Sequence, residues 1–174
     1  MNHILHGVSK VKTKVCTGCG VEKPLTEFYN SKYTKDGKTY KCKECRKKYN
    51  AWFRKTPVGI CQQIKGRNGY FKDHPFIISQ DEFVEWYENE PRICAYCGIK
   101  EEELYLLDKI VGGRFQRLTV DCKDNEVGYV KGNLVLACDK CNVMKGDILT
   151  YEDMKYVGEH FVKPKWEAVK RKGI

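Results

Sequence analysis

The chain has 174 residues, 41% hydrophobic and 32% charged, with a formal net charge of +9. That length fits one ordinary domain or two small ones around a modest core. No apolar run approaches the ~20 residues of a spanning helix, and MNHILHGVSKVKTK lacks the apolar core and cleavage site of a secretory signal, so the expectation is an intracellular protein with no membrane partner.

Residues 1–55 form the first predicted unit. They contain two C-x-x-C pairs, Cys16/Cys19 and Cys42/Cys45, with 22 residues between Cys19 and Cys42. Gly18 and Gly20 permit the knuckle turn, and the Asp36-Gly37 step signals a hairpin between the pairs. This is a zinc-ribbon-like or treble-clef-like pattern. The second knuckle leads into RKKYNAWFRK, where Tyr49, Trp52 and Phe53 recur at helical spacing. Packing of a small core is the expected role of these rings, ahead of base stacking.

The charge is uneven. Residues 1–60 carry 14 Lys+Arg against 4 Asp+Glu, whereas residues 61–90 sum to −3 and residues 91–174 to +2. A basic N-terminal third suits a piece that sits on a polyanion, and Lys41, Lys43, Arg46, Lys47 and Lys48 are its candidate DNA contacts.

Residues 56–90 read as a connector and a helix. The stretch 56–78 is broken by Pro57, Gly59, Gly66, Gly69 and Pro75 and allows one short helix. Ser79 and Glu82 then make a capping box and Pro91 a stop, which predicts a helix over 80–90 with Phe83, Trp86 and Tyr87 on its apolar stripe.

Residues 91–174 form the last unit. Cys94/Cys97 and Cys138/Cys141 stand 40 residues apart, too far for a simple ribbon, so the metal must bracket an inserted structure. RFQRLTVD reads as one strand, GNLVLA as a second, DKCNVMKGD as a short helix ending near Gly146, and TYEDMKYVGEHFV as a final helix with Pro164 beyond its end.

Eight of the ten cysteines therefore form four knuckles, and two knuckles supply the four thiolates that Zn²⁺ takes tetrahedrally. In a reducing compartment this outweighs disulfides, and a redox motif needs one such pair rather than four. The expectation is two structural Zn²⁺ per chain, one on Cys16, Cys19, Cys42 and Cys45 and one on Cys94, Cys97, Cys138 and Cys141. Cys61 and Cys122 are left over. Eight bound thiolates and two Zn²⁺ bring the net charge from +9 to +5.

Strand, turn, strand and short helix between zinc knuckles is the arrangement of a ββα-metal nuclease site. Phosphodiester hydrolysis needs a Lewis acid, a base or water-orienter, and stabilisation of the leaving oxygen. Asp121 at the end of the first strand and Asn142 on the short helix offer hard oxygen ligands of the kind Mg²⁺ accepts.

These residues resemble the HNH endonucleases. The match runs V-D…N-L-V-L-A-C-x-x-C-N-x-x-K-G-D over residues 120–147, with the CAYCG knuckle extending it. The resemblance implies an α+β fold: a small zinc-stabilised protein with a ββα-metal HNH core and an N-terminal zinc-ribbon-like unit. It implies that Asp121 and Asn142 hold one catalytic Mg²⁺ (or a similar divalent cation such as Mn²⁺), that Asn133 braces the hairpin, and that Lys145 faces the phosphate. Most of the family place His directly after the Asp. Here Cys122 stands there, and His3, His6, His74 and His160 are all distant in sequence. A subgroup carries G-Y before the Asn, and the run VDCKDNEVGY places Tyr129 there. The resemblance makes Tyr129 the base or water-orienter, with Cys122 or solvent as the rivals.

The implied activity is a metal-dependent, site-specific endonuclease of the restriction type acting on double-stranded DNA as a homodimer. A homing endonuclease from a phage or mobile element and a non-catalytic zinc-finger DNA-binding protein are the alternatives.

Overall fold

The computed structural model describes residues 11–68, 75–113 and 115–173. His3, His6 and His74 lie outside the described residues. Two compact units make up the chain, Met1–Thr56 and Pro57–Ile174.

In the first unit, β1 (Thr13–Val15) pairs antiparallel with β2 (Glu22–Pro24), and β3 (Phe28–Asn30) with β4 (Lys38–Cys42). Helix α1 (Lys43–Phe53) follows directly from the second knuckle. Among the described residues the core is Cys16, Phe28 and Cys42, with Cys45 against it. A cluster this small offsets little backbone entropy, and a metal ion on the four cysteines would add to the stability of the fold. The expectation that Tyr49 and Trp52 pack a core is overturned. No residue of α1 is buried, and these two rings are 47% and 60% exposed. The reason is geometric: one face of α1 supplies Cys45 to the cysteine group, and among the described residues no second layer covers the rest.

The second unit begins with α2 (Pro57–Asn68), which places Pro57 in its first turn, where a missing N–H costs nothing. It is a full helix and not a connector. Ile60 and Cys61 on α2 join Phe83 and Tyr87 on α3 (Gln80–Asn89) in the main core. The Ser79/Glu82 capping box is present. Burying a ring such as Phe83 contributes about 1.5–3 kcal/mol. A short helix that the residue pattern did not announce, α4 (Tyr105–Val111), adds Leu106 and Leu107.

The hairpin that follows is short and deeply set. β5 (Thr119–Cys122) pairs antiparallel with β6 (Leu134–Ala137), with Asp121 opposite Val135 and Cys122 opposite Leu134. Of the strand expected over residues 114–121, residue 114 lies outside the described residues and the ladder begins at Thr119. All four residues of β6 are buried, because both of its faces meet core. Helix α5 (Asp139–Lys145) packs on β5, and α6 (Tyr151–Val157) starts at a Thr150/Asp153 capping box. The chain does not stop at Pro164. A wider turn over Gly158–Val162 leads into α7 (Lys163–Arg171), with the proline in that helix's first turn and Trp166 buried. Among the described residues no helix is long and apolar enough to cross a membrane.

Candidate active site and metal centres

Among the described residues, two groups of cysteines could hold a metal ion: Cys16, Cys19, Cys42 and Cys45, and Cys94, Cys97, Cys138 and Cys141. Within each group the sulfurs all lie within 4.8 Å of one another. Tetrahedral zinc with Zn–S near 2.3 Å sets sulfurs about 3.8 Å apart, and Cys97 and Cys138 are 3.9 Å apart. The donor set and spacing fit zinc. Backbone amides steady the thiolates: Cys42 N–H and Gly18 N–H donate to Cys16 Sγ at 3.1 and 3.3 Å. The Cys42 amide is the main reason that the Cys16 thiol is held down to about 6. Cys141 N–H donates to Cys138 Sγ at 3.4 Å, so the second cage caps the start of α5 and fixes it at the end of β6.

That anchoring brings one face of α5 onto Thr119 and Asp121 of β5. Asn142 donates from Nδ2 to Thr119 Oγ1 at 3.2 Å, leaving its carbonyl oxygen available. Three residues on, one helical turn along, Lys145 Nζ comes within 3.8 Å of Asp121 Oδ1. Asp121 is 7% exposed. It accepts from Tyr96 Oη at 2.6 Å and from the Cys122 amide at 2.8 Å. Burial pushes its carboxyl up, while the Tyr96 hydroxyl, Lys145 and the Cys122 amide oppose that shift. Burial also raises Tyr96, helped by the Asp121 charge, so Tyr96 keeps its proton and serves as a fixed donor. Tyr96 sits inside the CAYCG knuckle, where the sequence marks only a zinc pair.

The Lys145 expectation changes in the structure. The residue is 1% exposed, and its ammonium donates to Asn125 Oδ1 at 2.8 Å as well as facing Asp121. It stands as the buried countercharge of the aspartate. Asn125 in turn donates to Gly146 O and Asp147 Oδ1, tying the hairpin loop to the end of α5.

Asn133 braces that loop by three bonds. Its Oδ1 accepts from the Asp124 amide at 3.0 Å, and its Nδ2 donates to Asp124 O at 2.7 Å and Gly128 O at 2.6 Å. The loop delivers Tyr129, whose backbone is clamped by the segment before α3. Tyr129 N–H donates to Pro75 O, and Ile77 and Ile78 N–H donate to Tyr129 O. Gly128 is required beside it: φ is +73°, and a Cβ there would stand 2.4 Å from Pro75 O. The Tyr129 ring stacks on Phe76, and its hydroxyl meets Cys122. Burial pushes the Tyr129 phenol up, against Arg67, and pushes the Cys122 thiol up to about 12. Both hold their protons at neutral pH.

Tyr129 and Asn142 line one cavity of about 180 Å³, which also takes in Arg67 of α2, Arg117 before β5, and Asp139 of α5. Sequence reasoning missed both arginines. Nothing in the local pattern of α2 points at β5, and only the packing of α2 into the core brings Arg67 there. Lys41, Lys43, Arg46, Lys47 and Lys48 lie on β4 and α1 of the first unit. Lys48 is paired with Glu44 at 2.9 Å.

An antiparallel hairpin flanked by a four-cysteine group that fits zinc and packed on a short helix, with an acid on the strand and an amide on the helix, is a ββα-metal architecture of the HNH type. In agreement with it, this chain is similar to the solved structure of the rare-cutting HNH restriction endonuclease PacI. The match covers 91% of this chain and 97% of that one, at 26% sequence identity and a TM-score of 0.53. No family model and no curated protein sequence matches the chain.

Proposed function

We propose that the protein is a metal-dependent endonuclease of the HNH type that hydrolyses phosphodiester bonds in double-stranded DNA at specific sites, as a restriction-type enzyme. The observation that supports this reading is the packing of α5 on β5, where Asn142 bonds Thr119, two residues before Asp121, and lines the cavity shared with Tyr129, Arg67 and Arg117. The likeness to PacI supports it.

The donor chemistry of Asp121 and Asn142 suits Mg²⁺ or Mn²⁺, two oxygens on elements that a zinc cage holds in register. Such a cation, when bound, supplies Lewis acidity at the scissile phosphate. The protein's own residues do the rest. Tyr96 and the Cys122 amide aim the Asp121 carboxylate, and Lys145 balances its charge from behind. Arg67 and Arg117 bring positive charge to the cavity and suit the non-bridging phosphate oxygens. Tyr129, protonated at neutral pH, orients the attacking water by its hydroxyl and does not remove a proton at rest. Solvent is the proton acceptor. Cys122 is a buried neighbour that holds the tyrosine in place. One such site cuts one strand, so a two-fold homodimer serves a palindromic site.

The test is cleavage of supercoiled plasmid with Mg²⁺ or Mn²⁺. Asn142→Ala and Asp121→Asn should abolish nicking while both zincs stay bound. A wild-type protein that leaves plasmid intact with every divalent cation tried, or an Asn142→Ala variant that cuts normally, refutes the reading.

A further inference from the structure

We propose that the β4–α1 face of the N-terminal unit is a stacking site for an unpaired nucleobase of a DNA strand. A depression of about 420 Å³ opens there, lined by Tyr33, Tyr40, Tyr49, Lys41, Arg46 and Asn50 among others. Its rings stand in water: Tyr33 is 84% exposed, Tyr40 63% and Tyr49 47%, with Trp52 at 60% one turn along α1 from Tyr49. Among the described residues, none of them belongs to the unit's core of Cys16, Phe28 and Cys42. Several large rings left exposed side by side mark a surface that meets something.

Charge selects the partner. Residues 1–60 carry 14 Lys+Arg against 4 Asp+Glu, and the cations are interleaved with the rings. Lys41 Nζ lies 4.8 Å from the Tyr49 ring centre, and the Arg46 guanidinium lies 5.9 Å from that of Tyr29. Rings for a flat apolar face, with cations beside them for a phosphate, are the two parts of a single-strand nucleic-acid platform. Within a duplex both faces of a base are already stacked on their neighbours. The ligand is therefore a base freed from its pair, in a single strand or in a locally opened duplex. Lys41 and Arg46 then hold the adjoining phosphates rather than those of an undisturbed duplex.

The assignment rests on DNA being this protein's substrate but not on cleavage, so it is tested without added magnesium on the zinc-loaded full chain. Fluorescence anisotropy compares a labelled single-stranded oligothymidylate with an abasic strand of equal length and equal phosphate count. The base-bearing strand should bind about tenfold tighter, the scale of one stacked base. Tyr33→Ala and Tyr49→Ala should each erase most of that difference and leave the abasic affinity unchanged, whereas Tyr49→Phe should keep it. Both positions are exposed, and zinc content verifies that the variants fold. Equal affinity for the two strands overturns the site, as does a difference that both alanine variants preserve; the rings would then face a protein partner. A protein that binds and cuts duplex DNA but shows no base-dependent gain overturns the stacking site alone. One that binds no DNA and cuts none overturns the nuclease reading with it.

Discussion

Replacing Asn133 by Ala removes the three hydrogen bonds that hold the hairpin loop, and their surroundings set the cost. The Asp124 amide and carbonyl belong to an exposed residue and can turn to water. The Gly128 carbonyl, bonded at 2.6 Å, is buried and cannot. A typical bond contributes about 1 kcal/mol net, and an orphaned buried carbonyl costs about 1–3 kcal/mol. The expected loss is therefore about 2–3 kcal/mol, a fall in melting temperature on the order of 10 °C for a unit of this size. Asn133→Asp separates the parts. The new carboxylate still accepts from the Asp124 amide, but it now faces two carbonyl oxygens with no proton to donate. Its folded pKa is raised above the unfolded value, so the deficit is smallest at acid pH and grows as pH rises through the folded pKa. Thermal melts at several pH values read the stability, and plasmid nicking reads whether Tyr129, four residues away on the same loop, keeps its place. Asn133→Ala melting like the wild type while cutting normally would refute the bracing role. An Asn133→Asp deficit independent of pH would show that the charge never faces those carbonyls.

Elemental analysis should return two zincs per chain, and a strong chelator should melt the first unit outright, since among the described residues its buried core is three residues; a folded, zinc-free N-terminal unit would contradict this. Tyr129→Phe should slow cleavage about 100-fold if its hydroxyl orients the water, with Cys122→Ser close to wild type; a fast Tyr129→Phe enzyme together with a dead Cys122→Ser enzyme would move the role to the thiol. Gly158→Ala should destabilise by about 1–3 kcal/mol, the scale of overpacking, because a Cβ there would stand 2.5 Å from the Tyr96 carbonyl and press on the zinc knuckle; an unchanged melt would mean that the C-terminal helices move freely against it.

What the sequence discloses depends on whether a residue's partner is encoded nearby. The C-x-x-C pairs are legible because a knuckle is built within four residues, and the two capping boxes because both halves lie three residues apart. The β5–β6 hairpin is legible as strand runs bounded by turn residues, and α5 as the short segment between the last knuckle and Gly146. The exposed rings of α1 are not, because helical spacing is the same whether the stripe meets a core or solvent. Only the absence of a second layer decides, and that is a property of the whole unit. The catalytic neighbourhood is the extreme case. Lys145 is buried because Asn125, twenty positions earlier, and Asp121 on β5 converge on its ammonium. Tyr96 reaches Asp121 from the knuckle whose Cys94 and Cys97 close onto Cys138 and Cys141. The same closure sets α5 against β5. A zinc ion on these four cysteines would be more than a staple for a small fold: it would fix the distance between the strand that carries the acid and the helix that carries the amide. Metal loss should therefore disable the site in both ways at once, by releasing Asn142 from β5 and by withdrawing the hydroxyl that aims Asp121.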